Sequence, residues 1–367
     1  MAAAKAAVLV HYNQPLEIRT YPLPPLLQPG EALVRVEMAG ICGTDVHLWR
    51  GELPVPLPVI LGHESVGRIE QLGPGLERDW RGVALRPGDR VTWASSVTCG
   101  ECFYCRVKRQ PTRCVRRKAY GISYCADEPP HLRGGYADYI HLRAGSAIFR
   151  LPDELPSEAV LGAGCALTTA LHGLERAPVS LGDVVVIQGS GPVGLAALAV
   201  ARRSGAAKVI VIGGPPHRLE LAREFGADVV LPVEEVADAE ARRKRVLEET
   251  GGYGADLVVE CVGSPAVIPE GFELCRDGGK YLVLGQYADA GGVWIRPHAI
   301  TRKQLQIFGS WGFEARHLDQ ALRLLGDVEW KRRFARHVTH RYALEQANEA
   351  LETVRQWQCG KTVLVAE

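Results

Sequence analysis

The sequence predicts an α/β protein, with a β-rich first part followed by a doubly wound parallel sheet. Three observations carry this reading. Roughly the first 150 residues alternate short apolar runs with Gly- and Pro-bearing turns. From Leu181 onward, apolar strand-length runs alternate with helix-length amphipathic stretches. At the first such strand–helix junction stands Gly189-Ser190-Gly191-Pro192-Val193-Gly194. A length of 367 residues suits about two domains, each with room for its own core.

In the first part, runs at 33–36, 66–69, 90–93 and 137–142 read as strands. They are separated by the turn pairs Pro29-Gly30, Pro74-Gly75, Pro87-Gly88 and Gly134-Gly135. In the second part, 183–188 (DVVVIQ) has the unbroken apolar character of a strand buried on both faces, and LAALAVARRSGA follows it as a helix. A strand at 208–212 precedes a helix at 217–225 that Gly226 stops. Strands at 229–231, 257–261, 280–284 and 305–308 complete a parallel sheet. After Ser310, helices near 318–325 and 344–355 and a closing strand at 362–365 finish the chain. The charge run Glu240, Arg242, Arg243, Lys244 and Arg245 reads as a solvated helix face.

Composition excludes several function classes. Lys+Arg 43 against Asp+Glu 42 leaves a net charge of +1, so no global field recruits nucleic acid or anionic lipid. The start MAAAKAAVLV has one lysine and too short an apolar run for a signal peptide, and no run approaches the roughly 18 apolar residues of a membrane span. Ten cysteines in so long a chain point to reduced thiols and metal ligation, and the expected location is cytoplasmic.

Four of those cysteines, Cys99, Cys102, Cys105 and Cys114, fall within CGECFYCRVKRQPTRC. Two Cys-x2-Cys steps wrap three thiolates around one tight turn, and the fourth closes a tetrahedron. Four soft ligands with no open position describe a structural zinc. Two disulfides are the competing reading, and cysteines three apart bridge badly. Arg106, Lys108, Arg109, Arg113, Arg116, Arg117 and Lys118 thread this loop. A solvated surface, an acidic substrate tail or a neighbouring subunit each accounts for them.

The glycine-rich loop follows an apolar strand and opens a helix, the context in which it binds a dinucleotide. Gly189 allows the tight turn, Gly191 admits the pyrophosphate to the backbone, and Gly194 lets helix pack on strand. With Pro192 and Val193 they begin the helix whose free N–H groups face the phosphates. About 20 residues on, an acid is expected for the adenosine ribose, yet Gly213 stands there. Loss of that carboxylate removes the repulsion that excludes a 2′-phosphate, which His217 or Arg218 can reach. Arg218 can equally cover the adenine of NAD, so NAD versus NADP stays open.

Three dispersed residues remain: Cys42 in AGICGTDVH, His63 in LGHESVG and Cys165 in GAGCALTTA. Singly, each thiol reads as well as a buried cysteine, and the imidazole as a core histidine. Together, two thiolates and one imidazole leave a tetrahedral zinc with an open fourth position, the catalytic pattern.

With these motifs, Gly360-Lys361-Thr362-Val363-Leu364 and the lobe between His63 and Cys165, the chain resembles the zinc-containing medium-chain alcohol dehydrogenase family over essentially its whole length. The resemblance implies a GroES-like catalytic domain at 1–166 with its structural zinc lobe at about 95–120. A Rossmann NAD(P)-binding domain follows at 167–307, and 308–367 returns to the catalytic domain. It implies two zinc ions per subunit, a homodimer or homotetramer, and hydride transfer between an alcohol and NAD(P). Zinc then lowers the alcohol pKa. Thr44 takes the alcohol proton, His47 passes it toward solvent, Asp45 orients His63, and Glu64 lies behind the metal. Thr169 belongs with the nicotinamide, Lys361 with the pyrophosphate, and Val262 among the cofactor-binding residues.

Three departures stand out. Gly43 replaces a basic residue that some relatives direct at the pyrophosphate, Cys165 stands where polyol-type relatives use Glu, and the loop before Cys114 is one residue longer than usual. Trp49, Trp93, Ser95 and Trp311 are expected around a roomy apolar pocket for bulky, cyclic or aromatic secondary alcohols and ketones. Two other functions fit some of the same features. One is reduction of an activated C=C bond or aldehyde dismutation on this fold; the remoter one is a non-catalytic zinc module binding nucleic acid through the basic lobe.

Overall fold

The computed structural model describes residues 3–366. The chain forms two compact units. One is continuous, Ala166–Phe313, and the other joins the residues up to Cys165 with those from Glu314.

In the continuous unit six parallel strands lie in the order Val229–Pro232, Lys208–Gly213, Val184–Gln188, Ala255–Glu260, Cys275–Val283, Gln306–Gly309. This is the doubly wound arrangement, in which the order reverses beside the first strand and leaves a crevice there for a ligand. Val185, Val186, Ile187, Leu257, Val258 and Val259 are all fully buried, as the unbroken apolar runs require. The helix Pro192–Arg203 buries everything from Gly194 to Ala201. The charge run falls on the helix Ala239–Glu249, where Val246 alone is buried. This unit ends at 313 rather than 307, because Gln306–Gly309 is its last strand and Trp311 stacks on Tyr287 at 6.1 Å.

The discontinuous unit is built on a seven-stranded, mainly antiparallel sheet. Its central strand Ala32–Ile41 pairs with Ser65–Leu72 on one side and with Lys361–Val365 on the other. The register sets Ala39 opposite Ser65 and Ile41 opposite Thr362. Three residues at neighbouring strand ends therefore converge: Cys42 just after one strand, Glu64 just before the next, and Lys361 at the start of the third. The core beneath them gathers Val34, Ile41, Leu48, Ile60, Leu61, Tyr136 and Leu364.

Several elements lack a clear sequence signal. The hairpin of Ala3–Leu9 with Glu17–Pro22 is one. The helix Val328–His337 and the strand Val338–Ala343, which runs parallel to Lys361–Val365, are two more. In VEWKRRFARH the apolar positions Trp330 and Phe334 are one helical turn apart and buried, but cationic neighbours mask the period. The helix expected from 344 begins with a 3-10 turn, Leu344–Gln346, before Ala347–Arg355. Among the described residues no helix is long and apolar enough to cross a membrane.

Candidate functional site

The ligand atoms of Cys42, His63 and Cys165 lie within 4.8 Å of one another. Cys42 Sγ stands 3.3 Å from His63 Nε2. Ligands on a tetrahedral zinc, at about 2.3 Å for sulfur and 2.0–2.1 Å for nitrogen, stand about 3.6 Å apart, so little movement is needed to seat the ion. Burial resists charging His63, but the Cys42 thiolate and the Asp45 carboxylate outweigh it and hold the imidazole pKa high. A hydrogen bond from the Cys165 thiol, aided by His63, holds the Cys42 thiol far below its ordinary range. Two thiols and an imidazole so arranged accept zinc by releasing protons.

Local structure explains how each ligand is aimed. Cys42 is the N-cap of the helix Gly43–Arg50. Its Sγ accepts the Thr44 N–H at 3.2 Å, and its own N–H donates to Asp45 Oδ2 at 2.9 Å. The same carboxylate faces His63 Nδ1 with Oδ1 at 3.3 Å, so one fully buried Asp holds the Cys42 backbone and lies against the imidazole. Cys165 lies in the helix Ser157–Arg176 just after a break at Gly164, whose φ of 46° and ψ of −149° are not helical. The break frees the Cys165 N–H to donate to Glu64 Oε2 at 2.5 Å.

Lys361 differs from expectation. It is 3% exposed with Nζ on Glu64 Oε1, so it is a buried partner of the acid behind the metal ligands. Burial works against both charges, yet each holds the other ionised: Glu64 is shifted down and Lys361 up. Thr44 is half-buried beside Cys42. His47 is half-exposed, with Nδ1 engaged by the Glu52 carboxylate. Trp93 is packed in the core at 4% exposure, and Trp49 donates to the Gln14 carbonyl at 2.7 Å.

The four lobe cysteines form a second set of ligand atoms within 4.8 Å. Cys99 Sγ is 3.5 Å from Cys114 Sγ and 4.0 Å from Cys105 Sγ, bracketing the roughly 3.8 Å edge of a zinc–thiolate tetrahedron. These distances exclude a disulfide, and no disulfide joins any of the ten cysteines, all of which are described. Backbone amides of Glu101 and Cys102 lower the Cys99 thiol to about 6, whereas burial and neighbouring thiols raise Cys105 to about 12. The lobe is closed at its base by the pair Ser96–Val97 and Lys118–Ala119. Of its basic residues, Arg116 pairs with Glu101 at 2.5 Å, Arg117 donates to Ser96 Oγ at 3.0 Å, and the Lys108 ammonium sits over the Phe103 ring.

In the continuous unit, Gly191 is the N-cap of the helix Pro192–Arg203, with Pro192 and Val193 its first residues. A Cβ on Gly194 would stand 1.9 Å from the Gly189 carbonyl oxygen, so only glycine lets this helix approach the loop. Arg218 Nη1 reaches to 3.7 Å from the Cβ position of Gly191, while His217 is exposed. Thr169 is half-buried and Val262 is 48% exposed.

Two residues of this unit escaped notice in the sequence. Ser190 Oγ accepts the Gly214 N–H at 3.1 Å and donates to the Gly214 carbonyl at 3.0 Å, tying the glycine loop to the end of the second strand. Glu260, fully buried, accepts the amides of Val262 and Gly263 at 2.7 Å and that of Gly285 at 3.0 Å. Burial raises its pKa against those three donors, and the carboxylate staples two strand-end loops together. A lone acid closing the apolar run LVVE was the available signal.

Comparison with known proteins agrees with this geometry. Residues 28–153 match the alcohol dehydrogenase GroES-like domain, and residues 192–327 the zinc-binding dehydrogenase domain. The chain is 39% identical over 369 aligned positions to a 5-exo-hydroxycamphor dehydrogenase of Pseudomonas putida, covering 99% of each. It is 31% identical to a sorbitol dehydrogenase of Halalkalibacterium halodurans, covering 90% of each. A solved alcohol dehydrogenase from Thermotoga maritima superposes with a TM-score of 0.95, at 38% identity and full coverage of both chains. Matched from end to end in this way, and with both metal centres assembled, the chain belongs to the zinc-dependent medium-chain alcohol dehydrogenases, NAD(P)-linked oxidoreductases of alcohols and their carbonyl products.

Proposed function

We propose that the protein interconverts a bulky or cyclic secondary alcohol and its ketone, with NAD(P) exchanging the hydride. The observation that carries the chemistry is the three-ligand centre of Cys42, His63 and Cys165, which leaves one tetrahedral position for an oxygen. The substrate class is supported by the end-to-end likeness to a dehydrogenase named for hydroxycamphor, a cyclic secondary alcohol.

The two thiolates and the imidazole would hold zinc, and zinc there supplies the Lewis acidity that brings an alcohol hydroxyl near neutral pKa. Asp45 keeps the His63 ring oriented so that Nε2 faces the metal position. The Thr44 hydroxyl, one residue past Gly43 on the capped first turn, takes the alcohol proton as it passes its own on toward solvent. His47, one turn further along the same helix, hands it to water, and Glu52 fixes that ring at its other end. Glu64 and Lys361 keep a charge-balanced wall behind the ligands. Gly189, Gly191 and Gly194 hold the dinucleotide phosphates against the helix N-terminus.

A homo-oligomer fits the same reading. Gln306–Gly309 is an edge strand of the parallel sheet with Ile307 43% exposed, which leaves a ladder open to a second copy. A cytoplasmic setting suits ten cysteines without a disulfide.

The decisive experiment is a panel of ethanol, polyols, cyclic secondary alcohols, enones and aldehydes, followed by nicotinamide absorbance with and without a zinc chelator. Chelator-sensitive oxidation with kcat/KM for the cyclic secondary alcohols at least about tenfold above ethanol is expected. Turnover confined to ethanol-sized or polyol substrates overturns the substrate class. Turnover of enones alone shifts the reaction to C=C reduction.

A further inference from the structure

The second strand of the nucleotide unit ends without the acid that normally grips the adenosine ribose. Gly213 stands at that end, and a Cβ there would come within 2.5 Å of Ser190 Oγ. Ser190 is itself committed to both backbone groups of Gly214, so residue 213 has no room for an acidic side chain. The adjacent position is also full, for a different reason. A Cβ on Gly214 would lie 2.4 Å from Glu234 Oε1 and 2.8 Å from Oε2.

Glu234 arrives from the neighbouring strand. Val229–Pro232 pairs in parallel with Lys208–Gly213, setting Pro232 opposite Gly213, and the Val233 N–H extends the pairing to the Gly213 carbonyl at 2.9 Å. Two residues past Pro232, the Glu234 carboxylate is laid against the end of the second strand, where an acid carried by that strand would begin. Among the described residues no ion pair claims it, and its side chain is exposed.

We propose that Glu234 is the ribose-gripping carboxylate of this enzyme and that it selects NAD over NADP. An ionised carboxylate accepts hydrogen bonds from the 2′- and 3′-hydroxyls of an adenosine ribose. A 2′-phosphate carries about −1.5 to −2 charges near neutral pH and offers only acceptors, so the same carboxylate repels it. His217 and Arg218 do not reverse this preference. Arg218 reaches toward Gly191 on the glycine-loop side, whereas the Glu234 carboxylate covers the strand end itself. Glu234 acts this way only if the glycine-rich loop holds a dinucleotide, as proposed above.

The test measures Kd for NADH and for NADPH by nicotinamide fluorescence on the intact zinc-loaded protein, independently of any alcohol substrate. Wild type is expected to bind NADH at least about thirtyfold more tightly than NADPH, the size of effect a charge-assisted hydrogen bond gained and a like charge met can produce. Glu234→Gln keeps an acceptor but removes the charge, and is expected to shrink that ratio about tenfold, chiefly by tightening NADPH. Glu235→Gln, the exposed neighbour, leaves the ratio unchanged within about twofold. Equal affinities in wild type, or an unaltered ratio in Glu234→Gln, overturns the assignment while leaving the dehydrogenase reading intact. Failure to bind either dinucleotide overturns both.

Discussion

Behind the metal ligands, Glu64 and Lys361 form an ion pair in which the two side chains are 5% and 3% exposed. Such a pair adds little net stability, but removing one partner strands a charge that water cannot reach. Lys361→Met is therefore expected to cost about 3–5 kcal/mol in urea unfolding, and adding Glu64→Gln to it should recover most of that loss. The pH dependence has a definite sign. Glu64 titrates below its unfolded value, so its contribution is present above the unfolded pKa of about 4.3 and is lost as pH falls through the lower folded value. Lys361 is shifted up, so its contribution is present below about pH 10.4 and is lost only above that. The stability gap between wild type and Lys361→Met should thus hold steady up to about pH 9, shrink as pH falls through the raised pKa of the unpartnered Glu64, and close in acid, below about pH 4. A gap that persists at pH 2 would show that packing of the lysine stem, not its charge, is what the site needs.

Among the elements, the helix Ser157–Arg176 is the one whose irregularity has a chemical purpose. At Gly164 the backbone takes φ 46° and ψ −149°, and a Cβ there would come within 2.2 Å of Glu64 Oε2. A side chain at this point must either straighten the helix or displace the carboxylate that receives the Cys165 amide. Gly164→Ala is expected to cost roughly 1–3 kcal/mol from the backbone conformation alone. It should also drop bound zinc from about two ions per chain to about one, because the four-cysteine lobe holds its metal independently. Metal analysis of the purified variant checks this; retention of both ions would mean that Cys165 finds its place without the break. The lobe offers the contrast at this scale. Its four ligands lie within sixteen residues and the pair Ser96–Val97 with Lys118–Ala119 closes it, so local chain geometry suffices to build it.

Across the whole molecule, the features legible in the sequence are those made by neighbours in the chain. The four-cysteine run, the glycine loop between strand and helix, and the strand–helix alternation that forms the parallel sheet each depend on short spacings. Long-range partnerships were not legible. Lys361 meets Glu64 across 297 positions, because the closing strand pairs with Ala32–Ile41, and nothing in GKTVL marks that lysine as buried. Glu234 is equally silent in LPVEEV, since only the parallel register of two strands lays it against Gly214. The chain nonetheless divides its work cleanly. Every thiol and imidazole of the two metal centres belongs to the discontinuous unit, and the glycine loop with Ser190, Gly213, Arg218 and Glu234 belongs to Ala166–Phe313. That division predicts that His63→Ala, or brief treatment with a chelator, abolishes alcohol oxidation while NADH affinity stays within about threefold of wild type. The Asp45 carboxylate, left without the imidazole it faces, should make the variant less stable but still folded, because the nucleotide unit has its own core around Val186, Ile210, Val258 and Tyr281. Parallel titrations of zinc content, NADH fluorescence and turnover decide the matter. If NADH binding falls in step with the loss of zinc, the two functions are coupled through the cofactor and the division fails; if turnover survives without His63, the catalytic assignment of the Cys42 centre fails with it.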